Sequence, residues 1–110
     1  MSKFDEAIEK YIGALASFPV DEELLTRVTK SLGPSIYLAD ASLVSCSDQA
    51  EKDRVKNNFL IKKLGCEDNG NLDAAVQSVC DKMSGIHHKY RAVFYYLLVV
   101  QEGLESKFLN

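Results

Sequence analysis

The 110-residue sequence predicts an all-α protein: a single-domain irregular bundle of five main helices over residues 1–110, with the C-terminal helix central. Three observations predict it. Apolar residues recur at spacings of three and four along most of the chain, which gathers them on one face of a helix. Residues suited to helix caps (Ser2, Asp21, Asp48, Asn71) and to helix stops (Pro19, Gly33, Gly65, Gly85, Gly103) divide the chain into segments of helical length. No stretch alternates apolar and polar residues as a half-buried strand does, so a lone strand would leave its backbone groups unpaired.

The first helix starts at Ser2 and places Phe4, Ala7, Ile8, Tyr11, Ile12 and Leu15 on one face, ending by Ser17-Phe18-Pro19. The second is capped by Asp21, has Glu22 and Glu23 in its first turn, buries Leu24, Leu25, Val28 and Leu32, and closes at Gly33-Pro34. Ser35 to Val44 admits a short helix or an extended segment; Pro34 at a first turn favours a short helix over about 34–39, followed by a mostly buried connection from Asp40 to Cys46. The next helix starts at Ser47-Asp48, with Asp48 and Glu51 at capping-box spacing, and runs to Leu64 before Gly65. Its apolar residues, Val55, Phe59, Leu60, Ile61 and Leu64, spread around more than one face of an α-helix.

A turn-rich loop, Cys66 to Asn71, leads into the most regular amphipathic pattern of the chain: Leu72, Ala75, Val76, Val79, Cys80 and Met83, ended by Gly85. The last long helix begins near His87 and carries Val93 to Val100, eight consecutive apolar or aromatic residues, to a stop at Gly103. A run this short cannot span a bilayer as a helix. Tyr95, Tyr96 and Val99 lie off the main stripe of this helix, which is therefore apolar almost all round. It has more apolar circumference than a small bundle easily covers, so Tyr95 and Tyr96 are candidates for a binding surface or a homodimer seam.

Composition excludes several classes. At 46% hydrophobic and 26% charged the chain reads as a soluble globular protein, and a net charge of −3 is too acidic for a generic nucleic-acid binder. Its N-terminus has neither a signal-peptide core nor a transit-peptide character, which with three widely spaced cysteines points to the cytoplasm and to reduced thiols rather than a disulfide framework. No membrane association and no cofactor are expected.

Each motif has a plainer counterpart. His87-His88 with Cys46, Cys66 and Cys80 lack the paired spacing of a structural zinc site, so no metal is expected. Cys46, beside a helix start, is a candidate nucleophile with His87 or His88 as base, against the plainer reading of a capping or buried thiol; Cys80, on an apolar stripe, reads as a core thiol. Arg54, Lys56, Lys62 and Lys63 make the helix over 49–64 a candidate phosphate-binding face. Interleaved Glu51 and Asp53 favour a solvated face with intrahelical ion pairs. The acidic loop Glu67 to Asp73 fits neither a P-loop nor an EF-hand.

Several strings, Asp40-Ala41-Ser42-Leu43-Val44-Ser45-Cys46-Ser47-Asp48, Asp53-Arg54-Val55, Asn58-Phe59-Leu60, Lys62-Lys63-Leu64-Gly65, Leu72-Asp73-Ala74-Ala75, Val79-Cys80-Asp81-Lys82-Met83 and Phe94-Tyr95-Tyr96-Leu97-Leu98, resemble a small bacterial family known only as a domain of unknown function, number twenty-eight fifty-three. The resemblance covers about Gly33 to the C-terminus. It implies a short all-helical cytoplasmic protein and carries no activity, cofactor or partner. Two positions depart from the family pattern: Lys52 stands where an apolar residue is usual, and Ile61 where a lysine is usual.

The function expected from these readings is that of a small non-enzymatic cytoplasmic protein acting by association with itself or another protein. The rival is a thiol-dependent or small-molecule enzyme using Cys46, and a weaker alternative is nucleic-acid binding through the basic helix.

Overall fold

The structure is a computed structural model that describes residues 2–16, 18–38, 42–67, 70–86 and 88–109, with residue 109 described by its backbone alone. Helix α1 (Lys3–Ala14) begins where the Ser2 hydroxyl accepts the Asp5 amide at 3.1 Å. Helix α2 (Glu22–Leu32) begins where the Asp21 carboxylate accepts the Leu24 amide, also at 3.1 Å. Each side chain satisfies an amide that has no carbonyl partner in the first turn. A 3₁₀ turn (Gly33–Tyr37) follows, shorter and tighter than the helix expected over 34–39; Leu38 is already extended, and Ala39 lies outside the described residues.

Residues 42–48 then cross the molecule as a strap. Leu43 pairs with Tyr90 in an isolated antiparallel bridge, the Val44 amide donates to the Lys89 carbonyl at 2.8 Å, and the Arg91 amide donates to the Ser42 carbonyl at 2.7 Å. This pairing explains why the last long helix starts four residues later than the sequence suggests: Tyr90 is held extended by the strap, so helix α5 covers Arg91–Glu102 and His88 precedes it.

Helix α3 (Gln49–Arg54) continues without a break into a π-helical segment (Val55–Lys63) that ends before Gly65, whose φ of 73° suits a residue without Cβ. The widened winding accounts for the scattered apolar pattern. At about 100° per residue an α-helix would put Val55 and Leu64 on opposite sides. In a π-helix residues five apart share a face, so Val55 with Leu60 and Phe59 with Leu64 all turn inward, and all four are buried.

Helix α4 (Asn71–Lys82) buries Leu72, Ala75, Val76, Val79 and Cys80, as its spacing predicts, but its ends differ from expectation. Gly70, at φ 82°, takes the N-cap position assigned to Asn71, and the helix stops at Lys82, before Gly85. Helix α6 (Ser106–Leu109) is a single turn that packs on α2, where Arg27 donates to the Phe108 carbonyl at 3.0 Å.

The central position of α5 is as expected: it packs against α1, α2 and α4, and every residue from Ala92 to Val99 is buried. The side of α5 expected to be left over is covered, since Tyr95, Tyr96 and Val99 are 6%, 2% and 0% exposed; of the run, Val100 alone is exposed, at 43%. Gln101, near the end of α5, joins it to α4 by accepting from Ser78 and Lys82 and donating to the Ala75 carbonyl.

The cysteine expectation is also corrected. Cys46 and Cys80, 34 positions apart, are joined in a disulfide that ties the strap to α4, and Cys66 is the remaining free thiol. Spacing misled because the strap returns across α4 only in the folded chain. On the chain-entropy view, closing a loop of this size stabilises by about 4 kcal/mol.

Candidate functional site

The strap, α3 and α5 meet at a buried charge. Glu51, expected as a capping-box partner, instead turns inward and is 7% exposed, leaving Asp48 to accept the Ala50 amide. One Glu51 oxygen accepts from Arg91 Nη2; the other accepts from Arg54 through Nε at 3.1 Å and Nη2 at 2.7 Å. Burial alone would raise the Glu51 pKa, but the arginine hydrogen bonds outweigh it and hold the carboxyl below its ordinary range. Arg91 also donates to the Leu43 carbonyl at 3.2 Å and to the Tyr95 hydroxyl at 3.0 Å. One guanidinium thus fixes the strap, α3 and α5 together. Glu51 and Arg91 were missed as a pair because they stand 40 positions apart; the only local signal was an arginine at the foot of an otherwise apolar helix.

On the other side of the strap lies a cleft of about 440 Å³, lined by Leu43, Val44, Cys46, Ser47, Gln77, Cys80, Asp81, Ser84 and Lys89. The disulfide is part of its wall. Its two ends differ: Cys46 is half-buried, and Cys80 is 4% exposed.

The family model described as "Protein of unknown function (DUF2853)" matches residues 3–106. The chain belongs to this family. The match reaches well before Gly33, so α1 and α2 are part of the DUF2853 pattern, which the sequence resemblance had placed only in the later two thirds. No curated protein matches the chain.

In this DUF2853 chain the residues singled out from sequence are dispersed. Cys46 is bonded to Cys80 and so is not a free nucleophile. His88 is exposed, its ring centroid 6.1 Å from that of Tyr90, and His87 lies outside the described residues. Among the described residues no group of three or more His, Cys, Asp or Glu converges on a point that could hold a metal ion. Of the four basic candidates, Arg54 binds Glu51, Lys56 lies 3.2 Å from Asp73, Lys63 donates to the Ser31 carbonyl at 3.0 Å, and Lys62 is exposed.

The aromatic candidates are committed inward. The Tyr95 ring stacks on Phe59 with centroids 3.8 Å apart. The Tyr96 hydroxyl accepts the Asp21 amide at 2.8 Å and donates to the Pro19 carbonyl at 3.3 Å, pinning the link between α1 and α2. Neither is available as a binding surface, because burial of the ring is coupled to satisfaction of its hydroxyl. The two departures from the family pattern have clear places: Ile61 packs partly buried on the core, and Lys52 reaches α4 to donate to Gln77 at 3.0 Å. Among the described residues no helix is long and apolar enough to cross a membrane.

Proposed function

We propose that this protein acts by non-enzymatic association in the cytoplasm, binding another protein or a second copy of itself through the corner where the 3₁₀ turn meets α1. The observation that carries this reading is the adjacent pair Tyr37 and Leu38, 49% and 59% exposed, the two most exposed large apolar side chains among the described residues. Tyr37 helps to line a recess of about 530 Å³ together with Lys3, Glu6, Ala7, Lys10, Ile36 and Ser42, and Leu38 is its neighbour in the chain. An apolar pair set in a charged rim is the usual composition of a small protein interface.

Sedimentation and light scattering from micromolar to millimolar concentration, with affinity capture from lysate beside them, test the reading. Association that depends on concentration or partner, and that Leu38→Asp abolishes without lowering the melting temperature, is expected. A strict monomer at millimolar concentration that captures nothing through Leu38 overturns it. Fractionation of cells carrying the tagged chain tests the location.

A further inference from the structure

We propose that the Cys46–Cys80 disulfide is exchangeable in the folded protein, opened by an external dithiol that attacks Sγ of Cys46 from the cleft between the strap and α4. Two independent observations carry this. The first is the asymmetry of the bond. Both cysteines line the cleft, but Cys46 is half-buried on the strap, whereas Cys80 is 4% exposed on the inner face of α4. Thiol–disulfide exchange requires access to the sulfur attacked, and access favours Cys46.

The second is that the strap is held on both flanks without the disulfide. On one side stand the backbone bonds Val44 to Lys89 and Arg91 to Ser42, with the Arg91 side chain on the Leu43 carbonyl. On the other stands Glu51, bound by Arg54 and Arg91. Opening the disulfide therefore releases residues 45–48 between two anchored points and leaves the bundle intact.

The step balances with a dithiol as the two-electron reductant. Its thiolate forms a bond to Sγ of Cys46 as the Cys46–Cys80 bond breaks, and Cys80 leaves as a thiolate that takes a proton from water. The second thiol of the reductant then attacks its own mixed-disulfide sulfur and expels Cys46 as a thiolate, which is protonated in turn. The dithiol ends as a disulfide, and Cys46 and Cys80 end as thiols.

The test uses the full-length chain with Cys66→Ser, so that the third thiol cannot reshuffle the bond. Glutathione in native buffer, followed by acid quench and peptide mapping, is expected to yield the mixed disulfide on Cys46. Dithiothreitol is expected to reduce the bond completely at a rate that low, non-denaturing urea does not change. The double variant Cys46→Ser with Cys80→Ser is expected to keep its helical circular dichroism and cooperative unfolding. Its amide exchange should rise about tenfold or more at Asp48, whose amide donates to the Ser45 carbonyl, and stay unchanged at Val44 and Arg91. An adduct on Cys80, reduction only where the protein unfolds, a double variant that does not fold, or absence of the Cys46–Cys80 peptide from the air-oxidised chain each overturns the proposal.

Discussion

Two places in the molecule set tyrosine beside leucine, and they have opposite fates. On α5, Tyr95 and Tyr96 precede Leu97 and are sealed: neighbouring elements cover the rings and both hydroxyls have partners, Arg91 for one and the α1–α2 link for the other. At the end of the 3₁₀ turn, Tyr37 and Leu38 stand 49% and 59% exposed, and Tyr37 lines an open recess. The residue types are the same. What differs is the number of elements that converge on them, so local apolar content identifies a core or a surface only after packing is known.

The largest effect expected on the sealed side follows from removing its centre. Phe94 is 0% exposed, and Phe94→Ala should destabilise by about 3–5 kcal/mol in urea unfolding. A loss under 1 kcal/mol would mean that α5 is not the centre of the bundle.

Arg91→Ala should cost about 3 kcal/mol at neutral pH, because it leaves the buried Glu51 with Arg54 alone and strips the Leu43 carbonyl and Tyr95 hydroxyl of a donor. The same node predicts acid sensitivity. Glu51 titrates below its ordinary value of 4.5 in the folded chain, so the unfolded chain takes up the proton first as pH falls. Its contribution is complete above about pH 4.5 and declines below it, and Arg91→Ala should flatten that acid limb of the stability curve.

Alkali probes the same packing from the other end. Burial first, then the neighbouring Tyr90 and Tyr37, pushes the Tyr11 hydroxyl up to about 12. The unfolded chain ionises near 10 while the folded chain keeps the proton, so stability should fall as pH rises from 10 toward 12. Burial also raises Tyr95, against the opposing pull of Arg91, so it adds to the slope. Tyr11→Phe should lessen the slope without removing it, as followed by circular dichroism against pH.

On the open side the expected stability effect is the smallest. Leu38→Asp should change unfolding free energy by no more than about 0.5 kcal/mol, since the side chain is 59% exposed. A large destabilisation would show that Leu38 belongs to the core and would erase the contrast between the two regions.

Much of this architecture was legible in the residues. The caps at Ser2 and Asp21, the buried stripe of α4 and the central place of α5 all follow from signals within one or two helical turns. The π-helical segment was half legible: the apolar residues from Val55 to Leu64 fitted no single α-helical face, and the winding that gathers them resolves the misfit. The candidate site was hardly legible. Glu51 sits at the spacing of a cap partner, and nothing within its own helix indicates that its carboxylate turns toward Arg91.

By itself the sequence determined where the main helices form and which face α1, α2 and α4 present inward, because those outcomes depend on interactions between residues at most a few positions apart. The tertiary structure alone decided three things: that Tyr95 and Tyr96 are sealed, that Glu51 turns inward to Arg91, and that Cys46 meets Cys80. These join residues tens of positions apart, 75 for Asp21 and Tyr96. Such contacts are set by how several helices pack at once, and no spacing along one helix records it.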